Sequence, residues 1–274
     1  MDLGLDSTIS LRNGVNIPVL GMGTAGTSGR SCVLAVGEAL RIGYRLIDTA
    51  SMYGNEREVG VALRESRVRR EEVFITTKVA TPDQGFASAT RACDESLRRL
   101  GLDYVDLYLI HWPSRRKRVE TWEAMEKLVA SGKARAVGVS NFMVHHLMEL
   151  REASVLVPAI DQIELSPFLQ QREVVSACRG WGIQVEAYSP LTRGRRLGDP
   201  TLTRIAAAKR RTPAQVLLRW SLQHRLVAIP KSARPERIRE NASIFDFTLG
   251  REDMESLDGL EQGLHFDWDP THIA

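Results

Sequence analysis

Paired cysteines, a strong charge of either sign and long apolar runs are all missing from this sequence of 274 residues. The three cysteines, Cys32, Cys93 and Cys178, form no Cys-x-x-C pair, and each falls in a segment with helical periodicity. Buried thiols in a reducing compartment are therefore expected, with no disulfide and no metal site. A formal net charge of +3 is too small for the basic face that nucleic-acid binding needs. Lysine is scarce, at six residues, and arginine supplies the rest of the positive charge. The opening run MDLGLDSTIS carries Asp2 and Asp6 but no basic segment of a secretion signal, and no apolar stretch approaches the ~20 residues that span a bilayer. These absences predict a soluble, cytoplasmic chain without membrane or nucleic-acid partners; a monomer is the simplest expectation, although the sequence leaves the oligomeric state open.

What is present is ordinary globular material, 43% hydrophobic and 26% charged, arranged with unusual regularity. Short β-branched runs at Val19–Gly21, Arg45–Asp48, Val73–Val79, Val105–His111, Ala134–Ser140, Ala159–Leu165, Gln184–Ser189 and Val227–Pro230 read as eight strands. Helical periodicity fills the spaces between them, near 30–43, 56–66, 86–100, 118–131, 143–153, 170–181, 212–223 and 235–243, with a further helix near 251–261. Gly43, Gly101, Gly132 and Gly182 follow helical runs where a left-handed cap is wanted, and Pro213 and Pro235 sit at helix starts. Eight βα units without a linker predict one (β/α)8 barrel over residues 1–274. Ile9 to Pro18 alternates around Asn13-Gly14, which predicts a β-hairpin with a type I′ turn that closes the bottom of the barrel.

Gly21-Met22-Gly23-Thr24-Ala25-Gly26 spells G-x-G-x-x-G, with Asp48 at the distance of a ribose-binding acid. Alone it suggests a Rossmann-type dehydrogenase. The βα rhythm runs on to the C-terminus, however, where a doubly wound domain would give way to a second domain, so the loop reads better as a flexible segment at a barrel mouth.

In a βα barrel, polar residues at the C-terminal ends of strands converge on one face. Asp48, Tyr53, Lys78 and His111 hold such positions on the second, third and fourth units. Singly, each has a bland reading as a cap, a packed ring, a rim charge or a satisfied core group. Jointly they offer more specific chemistry. A buried lysine beside a phenol would lower the tyrosine pKa from ~10, a carboxylate would keep that lysine charged, and a histidine could stabilise charge developing on a carbonyl oxygen.

The segments GYRLIDTASMYGNEREVG, TTKV, VDLYLIHWP, GVSNF and IPKSARPERIREN, in this order, resemble the aldo-keto reductases over nearly the whole chain. The resemblance implies a catalytic tetrad of Asp48, Tyr53, Lys78 and His111, and NADPH-dependent reduction of an aldehyde or ketone with Tyr53 protonating the oxygen. It implies that Ser140, Asn141 and Gln162 hold the nicotinamide carboxamide, that Tyr188 stacks on the ring, and that Ser189 and Leu191 lie beside the pyrophosphate. Lys231, Ser232 and Arg237 match the 2′-phosphate site, Glu240 and Asn241 the adenine contacts, and Thr24 and Asp48 complete the candidate cofactor set. A non-catalytic NADPH-binding barrel is the alternative that such a resemblance leaves open.

Two departures bear on the substrate pocket. Ala25 and Ala80 stand where the family commonly has aromatic residues, which predicts a wider, permissive site unless Trp112, Phe266 or Trp268 fills the gap. The short arginine-rich connections after His111 and Leu191 make the chain similar to the bacterial diketogluconate reductases. Thr192-Arg193 replaces a usual Gly-x-Ser, so Arg193 is a candidate substitute for a pyrophosphate contact. Ser166 and Asp161 also differ from the residues usual at their positions.

Overall fold

The computed structural model of the chain describes residues 3–273; residues 1, 2 and 274, the ends of the expected 1–274 unit, lie outside the described residues. Its centre is a parallel sheet of eight strands in sequence order: β1 (Met22–Gly23), β2 (Leu46–Asp48), β3 (Phe74–Val79), β4 (Val105–Ile110), β5 (Ala134–Ser140), β6 (Ile160–Glu164), β7 (Gln184–Tyr188) and β8 (Val227–Ala228). The sheet closes on itself. Ala228 N donates to Val19 O at 3.0 Å, Gly21 N to Ala228 O at 2.9 Å and Gly23 N to Pro230 O at 3.1 Å, so the first and last strands are neighbours. The first strand sits slightly later than the sequence predicts, because residues 19–21 bond to β8 and to Ser7 whereas Met22 and Gly23 pair with β2. A closed barrel leaves no place for the Rossmann alternative. Gly21 serves packing instead: a Cβ there would come within 2.4 Å of Leu46 Cγ.

Around the sheet run α1 (Gly29–Ile42), α2 (Glu56–Ser66), α3 (Phe86–Leu100), α4 (Arg118–Ala130), α5 (Val144–Ala153), α6 (Arg172–Gly180), α7 (Pro200–Lys209), α8 (Pro213–Gln223), α9 (Pro235–Ala242) and α10 (Arg251–Asp258). Helix α7 lies outside the segments with helical periodicity in the sequence. Asp199 caps it by accepting from Thr201 N and Leu202 N at 3.0 and 3.3 Å, Pro200 occupies its first turn, and Leu202, Ile205 and Ala206 bury its inner face. The three cysteines are free and buried among α1, α3 and α6.

The N-terminal hairpin forms as expected, with Ile9 opposite Ile17, but its turn differs. Positive φ occurs at Gly14 alone, not at Asn13, and Gly14 N donates to Leu11 O at 2.8 Å, so the strands are joined by a longer loop than a type I′ turn. Asn13 Nδ2 donates to Arg135 O at 3.0 Å and ties the loop to the start of β5. Leu11 and Ile17 are thereby pressed into the barrel's N-terminal end, where they share an apolar layer with Leu46, Phe74, Leu107, Ala136, Ile160 and Val227. Nearer the C-terminal ends of the strands the interior turns polar, with Asp48, Lys78, Gln162 and Glu186 all buried. This change from oil to charge along the barrel axis places the site.

Candidate active site

Lys78 is completely buried, and its Nζ donates to Asp48 Oδ1 at 2.7 Å, Asp48 Oδ2 at 2.8 Å and Thr49 O at 2.8 Å. Three oxygen acceptors satisfy an ammonium that the apolar interior would otherwise neutralise. Tyr53 ends a short 3-10 turn, Ser51–Tyr53, which Ser51 fastens by donating its hydroxyl to Lys78 O at 2.9 Å. The turn sets the Tyr53 ring 5.2 Å from Lys78 Nζ and edge-on to the His111 ring, with centroids 5.5 Å apart. All four expected residues are thus brought together at the strand ends.

Their electrostatics differ in one respect from expectation. Burial pushes the Tyr53 phenol above its ordinary pKa, and the charge of Lys78 opposes that rise without reversing it. Burial alone would lower Lys78, yet Asp48 together with Tyr53 raises it, so the ammonium persists. Burial, reinforced by Lys78, drives the His111 imidazole down to about 3. The site therefore holds a neutral phenol, a lasting cation and a neutral imidazole at ordinary pH.

From Tyr53 and His111 a cavity of about 980 Å³ runs across the barrel mouth to Lys231, Ser232, Arg237, Glu240 and Asn241, passing Ser140, Asn141, Gln162, Tyr188, Ser189 and Leu191 on the way. Asn141 Nδ2 donates to His111 O at 3.0 Å and Ser140 Oγ at 3.1 Å, and Asn141 Oδ1 accepts from Tyr188 OH at 2.8 Å. Ser140 Oγ donates to Gln162 O at 2.8 Å. Asn141, Ser189 and Arg193 line the cavity with left-handed φ of +63°, +47° and +51°, backbone strain of the kind that gathers at functional sites. At the far end Lys231 and Arg237 form no ion pair among the described residues, beside a helix, α9, that starts at Pro235. Two such cations suit a phosphate, the polar side chains of Ser140, Asn141 and Gln162 suit a nicotinamide, and one continuous cavity joins them; the residues fit a dinucleotide bearing a 2′-phosphate.

Four expected residues lie elsewhere. Thr24 is fully buried and donates its hydroxyl to Asp48 O at 3.0 Å, which ties β1 to β2 rather than facing the cavity. Ala25 and Trp112 line the main cavity, but Ala80 lines a separate depression with Ser51 and Met52. Trp268 packs on Trp112 with ring centroids 5.5 Å apart, and Phe266 faces Arg195, so both stand at the rim. Arg193 pairs with Asp267 across the mouth.

Three further buried residues hold the site together, Asn55 from within the GYRLIDTASMYGNEREVG segment and Glu164 and Glu186 from outside the quoted segments. Asn55, fully buried, accepts from Thr49 Oγ1 at 2.7 Å and donates to Thr24 O and Thr27 O at 2.9 and 3.0 Å, pinning the loop that carries Tyr53. Glu164 accepts from Phe266 N at 2.9 Å and Asp267 N at 3.0 Å and holds the C-terminal segment over the mouth. Glu186 lies beneath the tetrad, bridged to Asp48 by Gln162.

The aldo/keto reductase family model matches residues 19–262. Glyoxal reductase of Bacillus subtilis is 49% identical over 96% of this chain and 95% of its own length. Morphine 6-dehydrogenase of Pseudomonas putida is 45% identical over 98% and 96%. Among solved structures, a mutant of Gox0644 in complex with NADPH superposes with a TM-score of 0.93 at 39% identity, covering 97% of this chain and 98% of that one.

Proposed function

The chain belongs to the aldo/keto reductase family, and from that premise we propose that Tyr53 is the proton donor in its NADPH-dependent reduction of aldehydes or ketones to alcohols. The observation that carries this assignment is the sealed Lys78, clamped by Asp48 and set against the Tyr53 ring at the end of the dinucleotide-sized cavity. NADPH, when bound, supplies the hydride. The chain's own task is to receive the substrate oxygen, polarise it and protonate it. His111, kept neutral by burial, donates a hydrogen bond to that oxygen as negative charge develops on it. Tyr53 then gives up its phenolic proton, and the adjacent Lys78 ammonium stabilises the phenolate that remains until solvent restores the proton. Asp48 keeps the ammonium charged and fixed.

Ser140, Asn141 and Gln162 are assigned to the carboxamide, Tyr188 to stacking on the ring, and Ser189 and Leu191 to the pyrophosphate. Lys231, Ser232 and Arg237 are assigned to the 2′-phosphate, with Glu240 and Asn241 at the adenine. The whole length, 1–274, is taken as one reductase unit, since the hairpin plugs one end of the barrel and Asp267 lines the cavity at the other. A monomer is proposed, and three free buried thiols suit a reducing cytoplasm.

For the substrate we propose a permissive pocket that accepts small dicarbonyls and ring ketones. Ala25 leaves room in the cavity wall, and the relatives' names span glyoxal and morphine. Following NADPH oxidation over a panel of carbonyl compounds tests this, with turnover expected for both classes. A preference for small aldehydes above about a hundredfold, the worth of one large apolar contact, would end the permissive reading. Absence of turnover with every class would favour a non-catalytic NADPH-binding barrel.

A further inference from the structure

We propose that Glu186 is a positioning residue that fixes which way the Gln162 amide points at the nicotinamide end of the cavity. Glu186 on β7 stands directly opposite Gln162 on β6 in the parallel register. Gln162 Nε2 lies 2.8 Å from Asp48 Oδ2 and 2.8 Å from Glu186 Oε2. An amide nitrogen carries two hydrogens, and here each meets a carboxyl oxygen, one from β2 and one from β7. The amide oxygen is left as the free end, on a residue that lines the cavity. With Asp48 alone, one hydrogen would be fixed; with Glu186 present, turning the amide over would set its oxygen against two carboxyl oxygens at once. Asp48 already disfavours the flipped state, and the second carboxyl adds to that preference by taking the amide's remaining hydrogen.

Packing does not account for an acid at this position. Glu186 is fully buried, and its Oε1 has no hydrogen-bond partner among the described residues, an arrangement that costs stability compared with an apolar side chain. Burial and the charge of Asp48 push its carboxyl above the ordinary carboxylate range, and Oε2 accepts from Gln162 Nε2 at 2.8 Å. Its presence makes sense as an orienting acceptor beneath the reacting end of the site.

The inference rests on the reading of this cavity as the NADPH site, and the test separates the two. NADPH affinity is measured by quenching of intrinsic fluorescence for the wild type, Glu186→Leu, Glu186→Gln, Gln162→Ala and the Glu186→Leu/Gln162→Ala pair, each checked for a cooperative thermal transition. Glu186→Leu is expected to weaken NADPH about tenfold, while Glu186→Gln, which keeps an acceptor oxygen, stays within about twofold. In the Gln162→Ala background Glu186→Leu is expected to add nothing, because the two residues act as one unit. Glu186→Met serves in place of the leucine variant should that one fail to fold. Wild-type affinity in Glu186→Leu beside a weakened Gln162→Ala overturns the proposal, and so does a full additional loss in the pair. Wild-type affinity in Gln162→Ala overturns the reading of the cavity itself, and the proposal with it.

Discussion

A lysine ammonium with no exposed surface survives only where oxygen atoms replace its water, and Lys78 has three of them. Such a buried ion pair is poor evidence for stability, since two desolvated charges seldom outperform packed apolar side chains. Its value is chemical: it holds a fixed positive charge beside Tyr53. The four tetrad residues were legible in the sequence because each lies at a strand end within a motif. The direction of the Tyr53 shift was not, because sequence shows the neighbouring lysine but not the burial that outweighs it. Glu186 was hidden for a related reason. In the run QVEAY an acid reads as the outward residue of a strand, whereas here it faces the barrel interior. The histidine gives a prediction at this scale. An ordinary imidazole takes up a proton as pH falls through ~6.5, but His111 resists until about 3, so it stays neutral throughout the working range. The kcat/KM of carbonyl reduction is expected to run through pH 6–7 without an inflection. An inflection near 6.5 that disappears in His111→Asn would show that the imidazole titrates there and is not held neutral by burial.

Among the elements, the hairpin and the short turn before α2 do the most to place the site. The hairpin presses Leu11 and Ile17 into one end of the barrel, so the polar layer rests on a filled apolar floor rather than on water. Its existence was legible from alternation around Asn13-Gly14; its loop length was not, since the same dipeptide serves more than one turn. Helix α7 was missed because the arginine-rich run before it reads as loop, although Asp199-Pro200 is a sound start signal. The floor is testable. Ile17 is fully buried, and Ile17→Ala is expected to lower unfolding free energy by about 2–5 kcal/mol in urea titration. Because the cavity lies at the opposite end, kcat of the folded variant is expected to change less than about threefold, under 1 kcal/mol. Unchanged stability would mean that the hairpin does not seal the barrel.

At the scale of the whole molecule, the cavity is built from strand ends around most of the barrel and covered at one edge by the C-terminal segment, where Glu164 holds two backbone amides and Arg193 reaches Asp267. The βα rhythm made the barrel readable, since eight units can bury their strands only by closing. The cover was not readable, because Phe266 to Trp268 has no periodicity and its place depends on a carboxylate about a hundred residues earlier, in β6. Closure also decides what the glycine-rich loop does: Gly21 makes room inside the barrel, while the cations that suit a phosphate stand at Lys231 and Arg237. On the proposed mechanism turnover depends on one proton leaving one phenol, and removal of a general acid typically lowers rate by about a hundred- to ten-thousandfold. The direct measurement is single-turnover reduction by Tyr53→Phe beside its NADPH affinity. The account predicts a rate at least about a hundredfold below wild type with affinity within about twofold. A rate within about threefold of wild type, with NADPH bound equally well, would contradict it.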